Sequence, residues 1–141
     1  MNKSKTSVNG FIYTLGLWFA KFPPLPKNIR LFIVKIIPVL ALAFGIIGIL
    51  SSIDDFGGTR LLGYGSDFLI TLLSLATSVL VLSAFPGLKA RKIHGWNLLF
   101  WSEVVNLVLQ VVAIYQSSIL LALMGAIICF YLLFQIKPFY K

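Results

Sequence analysis

The residues with the most chemical potential in this chain sit inside an apolar run. Glu103 is followed by Asn106 and Gln110, three and seven residues on. At 100° per residue these three side chains share one helix face, with Trp96 and Phe100 close by on the wheel. Glu103 lies about seven residues, or roughly 10 Å, from the start of the run. A charge at such a depth in lipid costs about 2.5–3.5 kcal/mol on insertion scales. The carboxyl must therefore be neutral, paired or facing water. One chemistry that fits is a ligand, proton or cation site, with Glu103 as acceptor and Asn106 and Gln110 orienting what binds. The other is interhelical adhesion, in which Glu103 bonds to Ser74 or Ser78 or pairs with Lys35 at a similar depth. Such contacts are worth about 0.6–2 kcal/mol.

Other reactive residue types are scattered. Cys129 is a lone cysteine in an apolar run and reads as a packing residue. His94 stands among cations with no second His or Cys nearby, which fits a headgroup contact better than metal ligation. Asp54 and Asp55 could hold a cation weakly, but a solvated loop explains them more simply. There is no Cys-x-x-Cys, phosphate-binding glycine loop or nucleophile elbow. Gly57-Gly58 and Gly63-x-Gly65 do not sit between a strand and a helix, so they make no dinucleotide fingerprint. The expectation is a non-enzymatic protein with no catalytic residues, metal or cofactor.

The elements that would position Glu103 follow from composition. Of 141 residues, 59% are hydrophobic and 11% charged. Soluble domains run nearer ~45–50% and ~25%. A single soluble core of this length could not hide so much apolar surface, and disorder has the opposite signature. Lipid is the expected solvent. Twelve Lys and Arg against four acids give +8, but the cations cluster between apolar runs, which argues membrane topology rather than nucleic-acid binding.

Four spans are expected, at about 31–53, 68–85, 96–115 and 118–136. Pro38 should loosen the first. Ala41, Gly45, Gly48 and Ser52 give that span a small-residue face suited to close contact, and Ser118, Ala122, Gly125, Ala126 and Cys129 do the same for the fourth. Thr71, Ser74 and Ser78 share a face of the second span, with Thr77 beside it. Residues 54–66 read as a glycine-rich loop, Asp67 as a helix cap, and Pro86-Gly87 as a stop. Gln116-Ser117 leaves room only for a hairpin turn. Before the first span, residues 8–22 have helical periodicity: Val8, Phe11, Leu15, Trp18 and Phe22 on one side, widened by Ile12 and Phe19, and Asn9, Gly16, Ala20 and Lys21 opposite. At ~1.5 Å per residue this segment is too short for a ~30 Å core, and it reads as an amphipathic interfacial helix. No small-x-small cleavage site follows it, so a removable signal peptide is not expected. The organisation is thus a cytoplasmic segment, 1–30, and a membrane domain, 31–141.

Charge sets the orientation. Lys3, Lys5, Lys21, Lys27 and Arg30 precede the first span; Lys89, Arg91 and Lys92 lie between the second and third; Lys137 and Lys141 follow the fourth. The loop after the first span carries Arg60 against Asp54, Asp55 and Asp67. Both termini are expected on the cytoplasmic side of a bacterial plasma membrane. Lys89, Arg91, Lys92, Trp18, Lys21 and Trp96 are expected to meet lipid headgroups; Phe139 and Tyr140 fall at the same boundary, Tyr64 and Tyr115 at the outer one. The strong charge bias, and a first span without an acid, separate the chain from small dual-topology drug exporters.

Two stretches carry a resemblance. Pro86-Gly87-Leu88-Lys89-Ala90-Arg91-Lys92-Ile93-His94-Gly95-Trp96-Asn97-Leu98-Leu99-Phe100 is a basic turn followed by Gly-Trp opening a span; the other is Tyr131-Leu132-Leu133-Phe134-Gln135-Ile136-Lys137. Together they cover under a fifth of the chain. They resemble small, uncharacterised four-span bacterial membrane proteins, and the resemblance implies no activity.

The expected fold is all-α: an integral membrane four-helix bundle with an N-terminal interfacial helix. The leading functional expectation is a scaffold or accessory subunit acting through helix association, with membrane lipids and either a second copy or another membrane protein as partners and no nucleic acid. The alternative is a small transporter or channel protomer with its site at Glu103, Asn106 and Gln110. A cavity beside Glu103 would favour the alternative; a filled interior would favour the scaffold.

Overall fold

The computed structural model describes residues 3–57, 65–112 and 119–141, with side chains described for 10–55, 68–112, 120 and 123–141. The described residues form five α-helices and a closing 3-10 turn, with no strand among them. They are α1 (Lys3–Phe19), α2 (Lys27–Gly57), α3 (Gly65–Lys89), α4 (Ile93–Val112), α5 (Ile119–Ile136) and the turn Lys137–Phe139. Among the described residues three helices, α2, α3 and α4, are long and apolar enough to cross a bilayer. α5 is an 18-residue apolar helix.

The helices outrun the sequence-based limits. α2 has 31 residues, about 46 Å at 1.5 Å each. It carries Pro38 in its interior and takes Asp54 and Asp55 into its last turns, where a loop was expected. α3 begins before Asp67, which is therefore a first-turn residue rather than a cap, and runs through Pro86-Gly87 to Lys89. The stop lies further on. Arg91 adopts the left-handed conformation, φ 53°, its N–H bonds the Leu88 carbonyl, and the Lys92 N–H reaches back to the Gly87 carbonyl. This double closure is the Schellman motif, with arginine in the place glycine usually takes. α4 starts three residues before the expected limit, and its expected end at 115 lies outside the described residues. Tyr64, Arg60, Gly58, Gly63, Tyr115, Gln116, Ser117 and Ser118 lie outside the described residues, as do the side chains of Val8, Asn9, Asp67 and Ala122.

α3 is the central helix and packs along both α2 and α4. Small residues make this possible. On α2, Ala41 is buried, Ser52 is 1% exposed, and a Cβ built on Gly45 would sit 2.9 Å from Leu82 Cβ. A Cβ on Gly48 would strike Ser78 Oγ. The expected small-residue face is therefore the α2–α3 contact, used within the chain. The α3–α4 turn closes equally tightly: a Cβ on Gly87 would lie 2.6 Å from Gly95 Cα, and one on Gly95 would strike the Leu88 backbone nitrogen.

α5 joins this slab mainly at its C-terminal half, through Phe130, Leu133, Phe134 and Ile136. Trp96 is the joint. It is fully buried, its indole N–H donates to the Leu133 carbonyl at 2.9 Å, and its ring stacks on Phe100 at 5.5 Å. It is therefore not a headgroup contact; an indole supplied with both a carbonyl partner and aromatic neighbours is more stable inside. Tyr140 is likewise buried and burial pushes its phenol up to about 12. Lys141 pairs with the α3–α4 turn, its N–H bonding Arg91 O and its carbonyl accepting from Ile93 N.

α1 ends earlier than expected, because the chain breaks into turns at Lys21 and Phe22 ahead of Pro23-Pro24, where helix geometry is disfavoured. Its inward face also differs. Ile12 is buried, Phe19 stacks on Phe134 at 5.3 Å, and Gly16 lies against the same ring. Phe11, Leu17, Trp18 and Phe22 are exposed. Gly16 thus belongs to the docked face, since it lets the helix approach an aromatic ring.

Candidate functional site

α2 and α5 touch only sparsely. Between them, floored by α3 and α4, lies a cleft of about 540 Å³. α2 supplies Phe32, Ile36, Leu40 and Phe44, α3 supplies Thr77, Ser78 and Val81, α4 supplies Leu99, Glu103 and Asn106, and α5 supplies Cys129, Leu132 and Leu133. Phe32, Leu40 and Phe44 are also exposed on the outer surface, so the cleft opens sideways.

Helix phase explains why Glu103 and Asn106 meet here. One turn apart on α4, they face the same gap, with the Asn106 amide beside the Glu103 carboxyl. α4 begins at Ile93, so Glu103 stands ten residues, about 15 Å, from the helix start, nearer its middle than its end. The Cys129 thiol faces the same space from α5.

The remaining candidates divide. Gln110 shares the face of Glu103 but does not line the cleft. Seven residues carry it about 10 Å further along the axis, and its Oε1 is buried without a hydrogen-bond partner among the described residues. Ser78 does line the cleft, but its hydroxyl donates to the Ser74 carbonyl at 2.8 Å. Ser74 turns to α2, where its Oγ lies 3.5 Å from Ser52 Oγ. Lys35 is on the exposed side of α2, away from the cleft wall. The polar pair in the cleft is thus Glu103 with Asn106, and no sequence signal pointed to Cys129 as its neighbour across the gap. Among the described residues no three His, Cys, Asp or Glu side chains converge as a metal cluster would require.

At the basic end the expected headgroup residues are surface residues, Trp96 excepted. Lys89, Arg91, Lys92 and His94 are exposed, and so are Trp18 and Lys21, with the Lys21 ammonium 5.8 Å from the Trp18 ring centre.

Comparison with protein-family models, curated proteins and solved structures finds no match to this chain. The class rests on architecture alone: the described residues are helical, with three helices among them able to cross a membrane.

Proposed function

We propose that this is a non-enzymatic, four-span membrane protein, with α5 as the fourth span, that binds a cationic solute in the cleft at Glu103 and Asn106, as the protomer of a small transporter or channel. The supporting observation is the cleft itself. An interior acid lies beside its amide partner on the wall of a cavity of about 540 Å³. Ligand sites commonly measure about 300–1,000 Å³, with mostly apolar walls and few polar groups. The sideways opening suits a solute arriving from within the bilayer. The orientation we propose places both termini on the cytoplasmic side of a bacterial plasma membrane, with α1 in the interface. It is supported by the gathering of cations at one end: every Lys and Arg except Lys35 and Arg60 belongs to the N-terminal segment, the α3–α4 turn or the C-terminal tail, and Lys141 bonds that turn directly.

The single native cysteine makes the test direct. In lipid nanodiscs, tetraphenylphosphonium should bind the wild type saturably and slow maleimide labelling of Cys129. Glu103→Gln should weaken both effects about tenfold, the scale of one ion–ion contact at an intermediate effective dielectric. Binding that is equal in the two proteins, with no protection of Cys129, would reject the site.

The scaffold reading keeps one supporting observation, that Phe32, Leu40 and Phe44 at the cleft's edge are exposed and could be covered by a partner helix. It expects Cys129 to crosslink to a defined second protein and to be shielded by it.

A further inference from the structure

A second cavity, of about 390 Å³, lies at the basic end between α1, the Pro23–Pro26 linker and the end of α5. We propose that it is a binding site for the phosphate-bearing headgroup of an anionic phospholipid, held by Arg30 and Lys137. The proposal is independent of the Glu103 cleft and rests only on the membrane reading.

The two cations are the argument. Both line the cavity, and among the described residues no carboxylate lines it with them. Two cations gathered in one partly buried pocket repel each other unless an anion joins them. Their positions are built rather than incidental. The Arg30 guanidinium lies 5.9 Å from the Phe139 ring centre, and the Lys137 ammonium lies 5.0 Å from that of Trp96 and 5.9 Å from that of Phe134. Aromatic faces hold a cation in place without neutralising it. Arg30 also has a buried Nε with no hydrogen-bond partner, a cost that an accepting oxygen would remove. Guanidinium and ammonium together match a phosphate, the first by its fork and the second as a point charge. Burial lowers the pKa of Lys137, and a bound anion would oppose that shift.

The rest of the wall selects a lipid over a free phosphate. Tyr13, Leu17 and Phe22 line the cavity while remaining at least half exposed. An acyl chain leaving the headgroup would cover these side chains, whereas inorganic phosphate would leave them bare.

The test is delipidated full-length protein in neutral detergent, titrated with short-chain phosphatidylglycerol and followed by native mass spectrometry. Phosphatidylglycerol should be retained one-to-one, and phosphatidylcholine should bind about tenfold more weakly, as expected for loss of net ligand charge. Inorganic phosphate should not displace the lipid. Lys137→Gln should weaken retention about tenfold on the same scale, Arg30→Lys, which keeps the charge but loses the fork, should also weaken it, and Lys89→Gln on the exposed surface should leave it unchanged. Because Lys137 is in the final turn, its variant tests the site even if the Arg30 variant fails to fold. Equal retention of both lipids, displacement by inorganic phosphate, or equal losses in Lys137→Gln and Lys89→Gln would each overturn the assignment. None of these outcomes bears on Glu103.

Discussion

The two sides of the molecule are built by opposite rules. Where α3 meets α2 and α4, glycine and serine bring backbones so close that added Cβ atoms would collide. Where α5 and α1 meet that slab, large aromatic rings do the joining, and cavities are left between them. In lipid, helices gain no hydrophobic advantage from one another, so close dispersion contact between small residues is what makes a rigid pair. Aromatic joints bury area at a few points and leave gaps elsewhere. The polar groups that could bind something, Glu103, Asn106, Arg30 and Lys137, all line those gaps. The difference teaches that the close-packed slab is scaffold and the looser side holds the sites.

The tightest point should be the most sensitive. Gly95→Ala places a methyl against the Leu88 nitrogen and the Gly87 backbone, which cannot rotate aside. Overpacking of this kind costs about 3 kcal/mol at the upper end of its usual range. Thermal unfolding in detergent should show the largest loss of any conservative single change. A wild-type melting curve would mean that α3 and α4 do not cross there.

The joint on the other side should come next. Trp96→Phe removes the indole N–H and leaves the buried Leu133 carbonyl without that donor. The cost is about 2 kcal/mol, within the 1–3 kcal/mol range for an unsatisfied buried group. The effect should concentrate on α5, so Cys129 should label faster with maleimide while the α2–α3 contact remains intact. Unfolding of the whole chain as one unit, with no rise in Cys129 labelling beforehand, would dissolve the distinction between the two sides.

The α2–α3 contact offers a finer probe. Gly48→Ala meets the Ser78 hydroxyl, the movable end of a side chain, so the cost should be about 1 kcal/mol, the mild end of overpacking. Ser78→Ala vacates that space, and the double variant should recover most of the loss. Additive losses in the double variant would show that the two residues do not touch, because only coupled neighbours depart from additivity.

These residues also mark how far the sequence could be read. Hydropathy located the apolar helices, because runs of Leu, Ile, Val and Phe exclude water whatever they pack against. The alternating four- and three-residue spacing of Ala41, Gly45, Gly48 and Ser52 marked the α2–α3 contact, because small residues about one turn apart define a surface. Periodicity also put Glu103 and Asn106 on one face. It could not show that Gln110, on that same face, lies beyond the cleft, since a wheel projects away the axial distance. Trp96 was misread because an indole beside a basic loop has the same signature at a headgroup and in a core. Its carbonyl partner is 37 residues away, beyond any local pattern. Pro86-Gly87 was misread as a stop because proline at a helix end and glycine at a crossing look alike in one dimension.

The smallest effect should fall on the outer face of α5. Gly125 has open space where a Cβ would be, and Leu123, Met124, Ile127 and Ile128 around it are exposed. Unlike Gly45 or Gly48, it has no packing reason among the described residues to be glycine. Gly125→Ala should therefore be neutral or stabilise by a few tenths of a kcal/mol, below the ~0.5–1 kcal/mol that glycine costs inside a helix in water. Gly125→Leu should also leave unfolding unchanged, because the larger side chain enters open space. If Gly125→Leu instead disrupts a complex seen by crosslinking while Gly125→Ala does not, then α5 presents the same kind of close helix contact as α2, toward a second chain. The contrast between a close-packed side and a looser one would then hold only within the isolated protomer.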